Sequence, residues 1–340
     1  MRRDARPLDA RAPGPRALRL RAIAVATVAA LALVGCGPQE EPEPTPSTTR
    51  AQPSVTAPAP TPTPDAPIDP LPEGAVTALL LGSDSRTPGS FTGQADTIML
   101  AQISAERDAL SLISITRDSW VAIPGYGSGK INSAFARGGT ELIRSTVSEL
   151  FGGLEIDYVV QTDFEGFIGL TRALDGFDAD NQHPTRVTVN STGRVVDLTA
   201  DPVHLSGTDG LIFVRQRKGL PLGDLDRTER QRAAIAGMLA RIDDIAEDPA
   251  ALATLMGHVA SRVKITGDLS VEDMLALAAM SQELDDAAVI SLMAPISGFG
   301  NQAGQSVNVV DEARTAELGD ALRAGDVQPY VDAHGTDYAP

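Results

Sequence analysis

Cysteine and histidine are both scarce in this chain of 340 residues, and their scarcity removes several classes of site. Cys36 is the single cysteine, which excludes an internal disulfide and any metal site built from cysteine ligands. The four histidines, at positions 183, 204, 258 and 334, are scattered and show no metal-ligand spacing. A G-x-S-x-G motif is also missing, which leaves a serine hydrolase without support.

Positive charge is in the minority, with 28 Lys and Arg residues against 45 Asp and Glu, for a formal net charge of −17. The acidic excess lies after the first 35 residues, because those carry seven Arg and two Asp. A surface this acidic repels nucleic acid and anionic membrane surfaces nonspecifically. An anionic substrate would therefore need a local basic pocket or a metal ion.

The apolar run at residues 22–34 is shorter than the roughly 20 residues needed to span a bilayer. It follows seven arginines and ends in Leu33-Val34-Gly35-Cys36, which resembles a bacterial lipobox. We predict that residues 1–35 are a lipoprotein signal peptide and that Cys36 is diacylated as the new N-terminus. The alternative is an uncleaved signal anchor with an incidental cysteine. Either interpretation places the rest of the chain at the extracytoplasmic face of a bacterial cell membrane.

Residues 36–73 are rich in Pro, Thr, Ala and Glu, and half of the 24 prolines lie between residues 37 and 72. Such a composition cannot bury a core and favours extended polyproline II. At ~3.1 Å per residue the segment would reach up to roughly 100 Å, which suits work in the cell wall. We therefore predict a disordered linker over 36–73, one folded domain over 74–330 and a tail over 331–340.

The folded part interleaves short apolar runs with stretches of helical periodicity. Runs at 75–81, 97–103, 110–115, 120–123, 158–160 and 289–293 indicate strands. A turn at 104–108 predicts a hairpin between the second and third of these strands. Helices are predicted over 139–150, 164–174, 226–245, 250–263, 270–281 and 311–322. This alternation predicts an α/β fold, a single layered domain with a central mixed β-sheet flanked by helices.

A basic segment at residues 215–232 carries six cationic side chains against three acidic ones. Arginine suits planar, bidentate contacts with phosphate. The residues spaced i, i+3 and i+4 on one side of the predicted helix are Arg227, Arg230 and Gln231. Arg215 and Arg217 would share one side if their segment were extended. The segment predicts a phosphate site, although a solvated, salt-bridged helix start fits the same residues.

Carboxylates and arginines also lie at the ends of three predicted strands. Asp84 and Arg86 follow the first, Asp96 opens the second, and Arg117 and Asp118 follow the third. Loops after strand ends carry function in α/β folds. Two carboxylates facing several arginines suggest Mg²⁺ held between protein oxygens and a substrate phosphate. Taken singly, each aspartate also fits a turn or cap role.

Five ordered blocks resemble the LytR-CpsA-Psr family of cell-envelope enzymes. In order along the chain they are Leu80–Arg86, Ala95–Leu100, Ser114–Gly125, Lys130–Gly139 and Val214–Gln231. Five blocks in order are far more specific than a single glycine-rich motif. The resemblance implies a membrane-tethered phosphotransferase that moves a glycan from a polyprenyl-pyrophosphate carrier to peptidoglycan through a phosphodiester.

The resemblance also implies roles for individual residues. Mg²⁺ would be bound by Asp84 and Asp96, and the lipid tail would lie in an apolar cavity between sheet and helices. Catalytic roles would fall to Asp84, Arg117, Arg215, Arg217 and Asp224. Substrate contacts would fall to Arg86, Asp118, Lys130, Asn132, Arg227, Arg230 and Gln231. We expect the arginines at 117, 215, 217 and 227 to converge at the mouth of the cavity, while the general base stays open between Asp224 and Asp118.

The chain departs from the family at three points. Thr116 stands where the family usually has Pro before the Arg-Asp pair, and residues 175–180 replace a glycine- and valine-rich segment. A lipobox takes the place of the usual transmembrane anchor. The composition, rich in Arg and Ala, indicates a high-GC actinobacterium, in which the attached polymer would be arabinogalactan or another secondary polymer such as teichoic acid. Two other functions stay open: a polyprenyl-pyrophosphate hydrolase, and a non-catalytic lipoprotein that binds lipid or glycan.

Overall fold

The computed structural model describes residues 74–85, 91, 93–245, 248–267 and 288–338. Its strands are β1 (Val76–Ser83), β2 (Ala95–Ile103), β3 (Ala109–Ser114), β4 (Ser119–Ile123), β5 (Gly127–Lys130), β6 (Tyr158–Thr162), β7 (Phe177–Ala179), β8 (Thr185–Thr188), β9 (Val195–Leu198), β10 (Val203–Leu205), β11 (Val263–Thr266), β12 (Ala288–Met293), β13 (Ile296–Gln302) and β14 (Gln305–Val310). Its helices are α1 (Asn132–Leu150), α2 (Phe164–Ala173), α3 (Gly207–Arg215), α4 (Asp224–Ile245), α5 (Pro249–Arg262), α6 (Glu312–Ala324) and α7 (Gln328–His334).

A mixed sheet of six strands forms the centre, in the order β11-β6-β1-β2-β3-β12. Strand β6 runs parallel to β1 and β12 parallel to β3, while the other neighbours are antiparallel. The antiparallel β2–β3 pair is the hairpin predicted around the turn at 104–108. A second sheet has the order β13-β14-β4-β5, and β7 with β10 and β8 with β9 form two-stranded ribbons. The predicted fold class, a mixed sheet flanked by helices, is confirmed.

Successive side chains of β1 point to opposite faces of the central sheet. Leu79 and Leu81 are buried in one core together with Ile143 and Val147 of α1, and α6 and α7 contribute to the same core. Leu80 is half-buried and lines a cavity on the other face, under helices α2 to α5. Helices therefore cover both faces of the sheet, and the space next to Leu80 is not completely filled.

The segment at 175–180, which differs from the family that the sequence resembles, contains the packed strand β7. Phe177 and Ala179 of β7 are buried in the core that α2 to α5 share. Helix α4 passes very close to this strand, since a Cβ on Gly237 would lie 2.0 Å from the carbonyl oxygen of Asp178. Only glycine fits at that crossing, which fixes the position of α4 against β7.

Helix α1 begins earlier than the sequence predicts. Its interior contains Gly138 (φ −138°, ψ 15°) and Gly139 (φ 63°, ψ −150°), neither of which is helical. The second conformation is one that only glycine adopts without strain. Two helical segments therefore meet at this break, and the periodicity of residues 139–150 identifies only the second of them.

The folded unit extends beyond the boundary predicted at residue 330. Helix α7 spans this position, with Tyr330 buried. After the helix, the Thr336 carbonyl accepts a hydrogen bond from the Met293 amide at 2.8 Å, and Asp337 pairs with Arg232. Residues 331–338 are thus part of the domain, contrary to the predicted tail, because they cover β12 and α4.

Other differences concern short elements. The sequence predictions omit β5, β7 to β11, β13, β14, α3 and α7. The helix predicted over 270–281 and the N-terminal predictions for residues 1–73 lie outside the described residues. Within the part of the chain that the structure describes, no helix has both the length and the apolar character needed to cross a membrane.

Candidate active site

The hairpin of β1 and β2 brings two aspartates to one end of the central sheet. The register of the pair shifts between Gly82 and Ser83, which leaves Asp96 as the extra residue of a β-bulge. A bulge changes the direction in which the side chain of its extra residue points. Asp84 directly follows β1, and its amide donates to the Gln94 carbonyl at 3.1 Å. Both aspartates of the predicted metal site therefore lie at the same corner of the sheet.

The Asp84 carboxylate is held by backbone from the neighbouring strand. Its Oδ1 accepts a hydrogen bond from the Gln94 amide at 2.9 Å. Gly93 leaves room for it, because a Cβ there would lie 2.3 Å from Oδ1. Among the described residues, no Lys, Arg or His nitrogen lies within 4.0 Å of this carboxylate. A carboxylate without a nearby protein cation fits a divalent metal ion. Arg86 lies outside the described residues.

Arg117 follows β3 in a turn that Thr116 stabilises. The Thr116 side chain is fully buried, and its hydroxyl lies 2.6 Å from the Ser119 hydroxyl and accepts from Asn308 Nδ2 at 2.9 Å. The threonine that replaces the family's proline therefore fixes this turn through hydrogen bonds. The turn directs Arg117 to the bulge, where its Nη1 donates to Asp96 Oδ1 at 2.5 Å.

The first turn of α4 meets Arg117 at Asp224. Oδ1 of Asp224 lies 2.9 Å from Arg227 Nη2, 3.7 Å from Arg117 Nε and 3.9 Å from Arg217 Nη1. Asp118 Oδ2 lies 3.9 Å from Arg117 Nε. We name this group the arginine–aspartate cluster, consisting of Asp96, Arg117, Asp118, Arg217, Asp224 and Arg227. Asp96 comes from the bulge in β2, and Arg117 and Asp118 come from the turn after β3. Arg217 lies in the loop that leads into α4, and Asp224 and Arg227 lie in the first turn of α4.

Burial and neighbouring carboxylates act in opposite directions on the arginines of the cluster. Burial lowers the pKa of Arg227, and the charge of Asp224 offsets part of that effect. Burial also acts to lower the pKa of Arg117, but the hydrogen bond to Asp96 and the charges of Asp96, Asp224 and Asp118 raise it overall. Arg117 therefore keeps its positive charge although it is largely buried.

Several buried polar atoms in the cluster have no hydrogen-bond partner among the described residues. They are both carboxylate oxygens of Asp224, Nε of Arg117, and Nε and Nη2 of Arg227. The short contact between Asp224 and Arg227 does not have hydrogen-bond geometry. Buried polar groups normally have partners, so several orphaned groups in one place indicate a ligand site. Unpartnered guanidinium groups suit an anion such as phosphate.

An apolar cavity of ≈ 200 Å³ adjoins the cluster. The sheet lines it with Leu80 and Val160, which are paired across β1 and β6, and the helices line it with residues such as Phe167 and Ala234. Asp96 belongs both to the cavity lining and to the cluster. The apolar space therefore meets the charged groups directly.

Arg215 and Gln231 also line this cavity. Arg215 is the last residue of α3, where a cation is favoured by the helix dipole. Its guanidinium carbon lies 4.1 Å from the centre of the Phe164 ring. Because Arg215 ends a helix, it does not share an extended segment with Arg217. The two arginines instead approach the site from different positions, Arg215 beside the cavity and Arg217 in the cluster.

A second pocket, of ≈ 500 Å³, lies next to Arg117 and is lined mainly by polar side chains. Lys130 Nζ donates to Asp118 Oδ1 at 2.8 Å, and Asn132 Nδ2 donates to Gln94 Oε1 at 2.9 Å. We name this the polar pocket; its lining includes Gln94, Arg117, Asp118, Trp120, Lys130, Asn132, Ser133, Arg137 and Gln305. The cluster thus lies between an apolar cavity and a polar one.

Arg230 lies apart from the cluster, although it is on α4 and as buried as Arg227. Its guanidinium donates to Gln216 Oε1, Asn181 Oδ1, the His183 carbonyl and Thr185 Oγ1. Burial lowers the pKa of Arg230 to about 10. These contacts occupy Nη1 and Nη2 with protein acceptors and connect α4 to the segment before β8, while Nε has no hydrogen-bond partner among the described residues.

Two residues outside the predicted set support the site. Gln94 hydrogen-bonds both Asp84 and Asn132, and Phe164 lies under the guanidinium of Arg215. Phe164 begins a helix that the sequence predicts, capped by the Asp163 side chain. For Gln94, the only available signal is its position two residues before Asp96.

Comparison with known proteins places the chain in a family. It matches the LytR_cpsA_psr family over residues 47–324. A polyisoprenyl-teichoic acid–peptidoglycan teichoic acid transferase TagU of Bacillus mycoides (strain KBAB4) is 34% identical over 165 residues, 48% of this chain and 51% of the relative. The TagU of Enterococcus faecalis (strain ATCC 700802 / V583) is 31% identical over 204 residues, 59% of this chain and 64% of the relative. The chain thus spans about half the length of the first of these relatives.

Solved structures show the same fold. The crystal structure of B. subtilis TagV superimposes with a TM-score of 0.61 at 20% identity, covering 79% of this chain and 100% of TagV. The structure of TagT bound to LI-WTA gives a TM-score of 0.57 at 25% identity, covering 74% of this chain and 90% of TagT. Because the family match includes most of the described domain with its five motif blocks, this chain belongs to the LytR_cpsA_psr family.

Proposed function

We propose that this protein is a Mg²⁺-dependent phosphotransferase that attaches a glycopolymer to peptidoglycan, using a glycan carried on polyprenyl pyrophosphate. One observation carries the proposal: the apolar cavity and the arginine–aspartate cluster meet at Asp96. An apolar cavity suits an isoprenoid tail, and several guanidinium groups suit a pyrophosphate. The names of the TagU relatives and the binding of LI-WTA by TagT support the same substrate class.

In the proposed reaction, a hydroxyl oxygen of the acceptor forms a bond to the phosphorus that carries the glycan. The bond from this phosphorus to the oxygen bridging the two phosphates breaks, and polyprenyl phosphate leaves with the bonding electron pair. The hydroxyl proton passes to a base, for which Asp224 and Asp118 are the candidates. Arg117, Arg217 and Arg227 would stabilise the charge that develops on the leaving group, which is the main catalytic contribution in phosphoryl transfer.

Asp84 and Asp96 are the residues that would hold Mg²⁺. This ion commonly uses one or two protein carboxylates together with phosphate oxygens, and when bound it would neutralise part of the pyrophosphate charge. The Asp84 carboxylate has no cation nearby among the described residues, which supports this assignment. Asp96 holds Arg117 as well, so it would link the metal to the cluster.

The polar pocket is the proposed place for the saccharide that approaches the phosphates from the side opposite the lipid. Its lining combines hydrogen-bond donors and acceptors with the half-buried indole of Trp120. Arg117 and Asp118 belong to this lining, so a hydroxyl in the pocket would lie next to the cluster. Asp118 is paired with Lys130, which would orient its carboxylate.

A reconstituted transfer assay tests the proposal. The full chain in detergent would receive a polyprenyl-pyrophosphate glycan with and without peptidoglycan, and both the glycan phosphodiester and polyprenyl phosphate would be quantified. We expect polyprenyl phosphate to form only with acceptor present, and Arg117→Ala to abolish it. Arg186→Ala, which removes an exposed ion pair with Asp197, is the matched control.

The same assay separates the two alternatives. Equal release of polyprenyl phosphate without acceptor would identify a hydrolase, and tight donor binding without any turnover would identify a binding protein. Mass spectrometry of lipid that co-purifies with the domain would identify the carrier and the glycan. Whether that glycan is teichoic acid, arabinogalactan or another secondary polymer is the part of the proposal that this measurement decides.

We also propose that the protein works at the extracytoplasmic face of the membrane, anchored by a lipid on Cys36. The motivation is the short apolar run that ends at the single cysteine. A lipid on Cys36 and a proline-rich linker would place the domain where both a membrane-embedded carrier and peptidoglycan are within reach.

A further inference from the structure

A histidine and two carboxylates that are not part of the arginine–aspartate cluster form a compact group at α4. His183 Nε2 lies 3.2 Å from Glu229 Oε2 and 3.5 Å from Asp226 Oδ1. All three ligand atoms lie within 4.8 Å of one another. Asp226 and Glu229 are spaced i, i+3 on α4, and His183 comes from the segment before β8. The sequence does not reveal this group, because the histidine is far from the carboxylates along the chain.

The surroundings hold each of these side chains in place. Arg230 donates to the His183 carbonyl and thereby fixes that segment against α4. Asp226 Oδ2 accepts from the Leu222 amide at 2.6 Å, while Oδ1 faces His183. Groups outside a metal's direct ligands commonly orient those ligands in this way.

The Asp226 carboxylate is buried, with 6% of its side chain exposed. A buried carboxylate is costly unless a positive charge lies close to it. In the described part of the chain, His183 is the one basic side chain within 4.0 Å of either Asp226 or Glu229. Arg230 interacts electrostatically with both carboxylates, but from more than 4.0 Å, whereas a divalent cation would supply a counter-charge in direct contact with them.

From this geometry we infer a transition-metal site of the Zn²⁺ class at His183, Asp226 and Glu229. Zn²⁺ binds imidazole nitrogen and carboxylate oxygen at ~2.0–2.2 Å, so two ligand atoms in a tetrahedral site lie about 3.4 Å apart. The two separations from His183 Nε2 have this size. The nitrogen ligand favours Zn²⁺ or a similar transition metal over Mg²⁺, which prefers oxygen. A water molecule would complete the coordination.

The site would act on the loop that joins α3 to α4. Asp226 holds the Leu222 amide, and the same loop carries Arg217 of the arginine–aspartate cluster. A metal bound to Asp226 would therefore tie this loop to α4 and to the segment around His183. This role is structural and does not depend on the proposed phosphotransfer.

Metal binding by the full chain tests the inference. After treatment with a chelator, the protein would be titrated with Zn²⁺ against a competing chelator, and with Co²⁺ for its d–d absorption. We expect one Zn²⁺ per chain, a Co²⁺ spectrum of low coordination number, and a raised melting temperature with Zn²⁺. A large excess of Mg²⁺ should not displace the metal, and Asp84→Asn should leave Zn²⁺ binding unchanged.

Variants decide between a metal site and a simple ion pair. His183→Ala and Glu229→Gln should each weaken Zn²⁺ binding at least tenfold and remove the Co²⁺ spectrum. His204→Ala is the control, because His204 is exposed and pairs with one exposed carboxylate, that of Asp178. If His183→Ala fails to fold, Glu229→Gln alone carries the test. Absence of Zn²⁺ binding, or equal binding by Glu229→Gln and the unchanged chain, would overturn the inference.

Discussion

Arg227 and Arg230 provide the sharpest test of the site, because they look alike in the sequence and differ in the structure. Both lie on α4 with 2% exposure. Arg227 contacts Asp224 in the cluster, whereas Nη1 and Nη2 of Arg230 donate to acceptors elsewhere in the protein. We expect Arg227→Ala to impair binding of a polyprenyl pyrophosphate, and Arg230→Ala to impair only stability.

The magnitudes follow from the contacts. Removing one partner of a buried ion pair costs about 3–5 kcal/mol of stability. Arg117 at 3.7 Å and Arg217 at 3.9 Å remain beside Asp224, so Arg227→Ala should fall at the lower end of that range. The lost charge-assisted contact to phosphate should cost about 1.5–3 kcal/mol of binding, or about tenfold to 150-fold in affinity. Arg227→Lys should restore little, since lysine offers a point charge without a planar fork.

Arg230→Ala leaves up to four acceptors without their donor, and each buried one costs about 1–3 kcal/mol. Stability would be measured by urea denaturation, and affinity by calorimetry with a short-chain polyprenyl pyrophosphate on fully folded protein. If Arg230→Ala reduced affinity as much as Arg227→Ala with both proteins folded, the division between the two arginines would be refuted. Normal binding of the ligand by Arg227→Ala would also refute this division.

Four further changes test other parts of the molecule. Asp84→Asn should abolish transfer with an unchanged melting temperature, and full activity of the unchanged protein in EDTA would contradict the metal assignment. Ala234→Phe should fill part of the apolar cavity and weaken donors with long lipid tails more than inorganic pyrophosphate, as competition binding would reveal. Gly139→Ala should cost about 1–3 kcal/mol because of its backbone conformation, and an unchanged urea midpoint would argue against the break in α1. Cys36→Ala should release the protein from membranes or block its processing, whereas unchanged retention and mass would exclude a lipid on that residue.

Sequence reasoning was most successful where the pattern is long and periodic. The strands β1 to β3 and the helices α2, α4 and α6 lie close to their predicted bounds. Their apolar residues bury one face or stripe, and this requirement is visible along the chain without any tertiary information. The break at Gly139 was missed because a backbone conformation leaves no periodic signal.

The site was predictable in part. The strand ends that deliver Asp84, Asp96 and Arg117 could be located, because buried strands are recognisable and the residues that follow them are polar. The bulge that re-aims Asp96 depends on pairing register, which no local pattern specifies. Likewise, spacing on a helix put Arg227 and Arg230 on one side, but it could not tell which of them meets Asp224 and which meets Asn181.

The aspartates of the cluster explain how buried arginines persist in this acidic protein, and they are also the reason why we expect the site to need a metal. Without a ligand, three arginines and three aspartates lie within contacts of 2.5 to 3.9 Å and largely neutralise one another. This balance avoids the cost of buried unpaired cations.

The same carboxylates would repel a pyrophosphate that enters the cluster. A divalent cation at Asp84 and Asp96 would turn two of the nearby repulsive groups into ligands and would leave the arginines available to phosphate. We therefore expect pyrophosphate affinity to fall steeply in EDTA for the unchanged chain, and to depend much less on Mg²⁺ in Asp84→Asn. Calorimetric titrations with and without Mg²⁺ would measure this difference, and equal Mg²⁺ dependence in both proteins would contradict the electrostatic account.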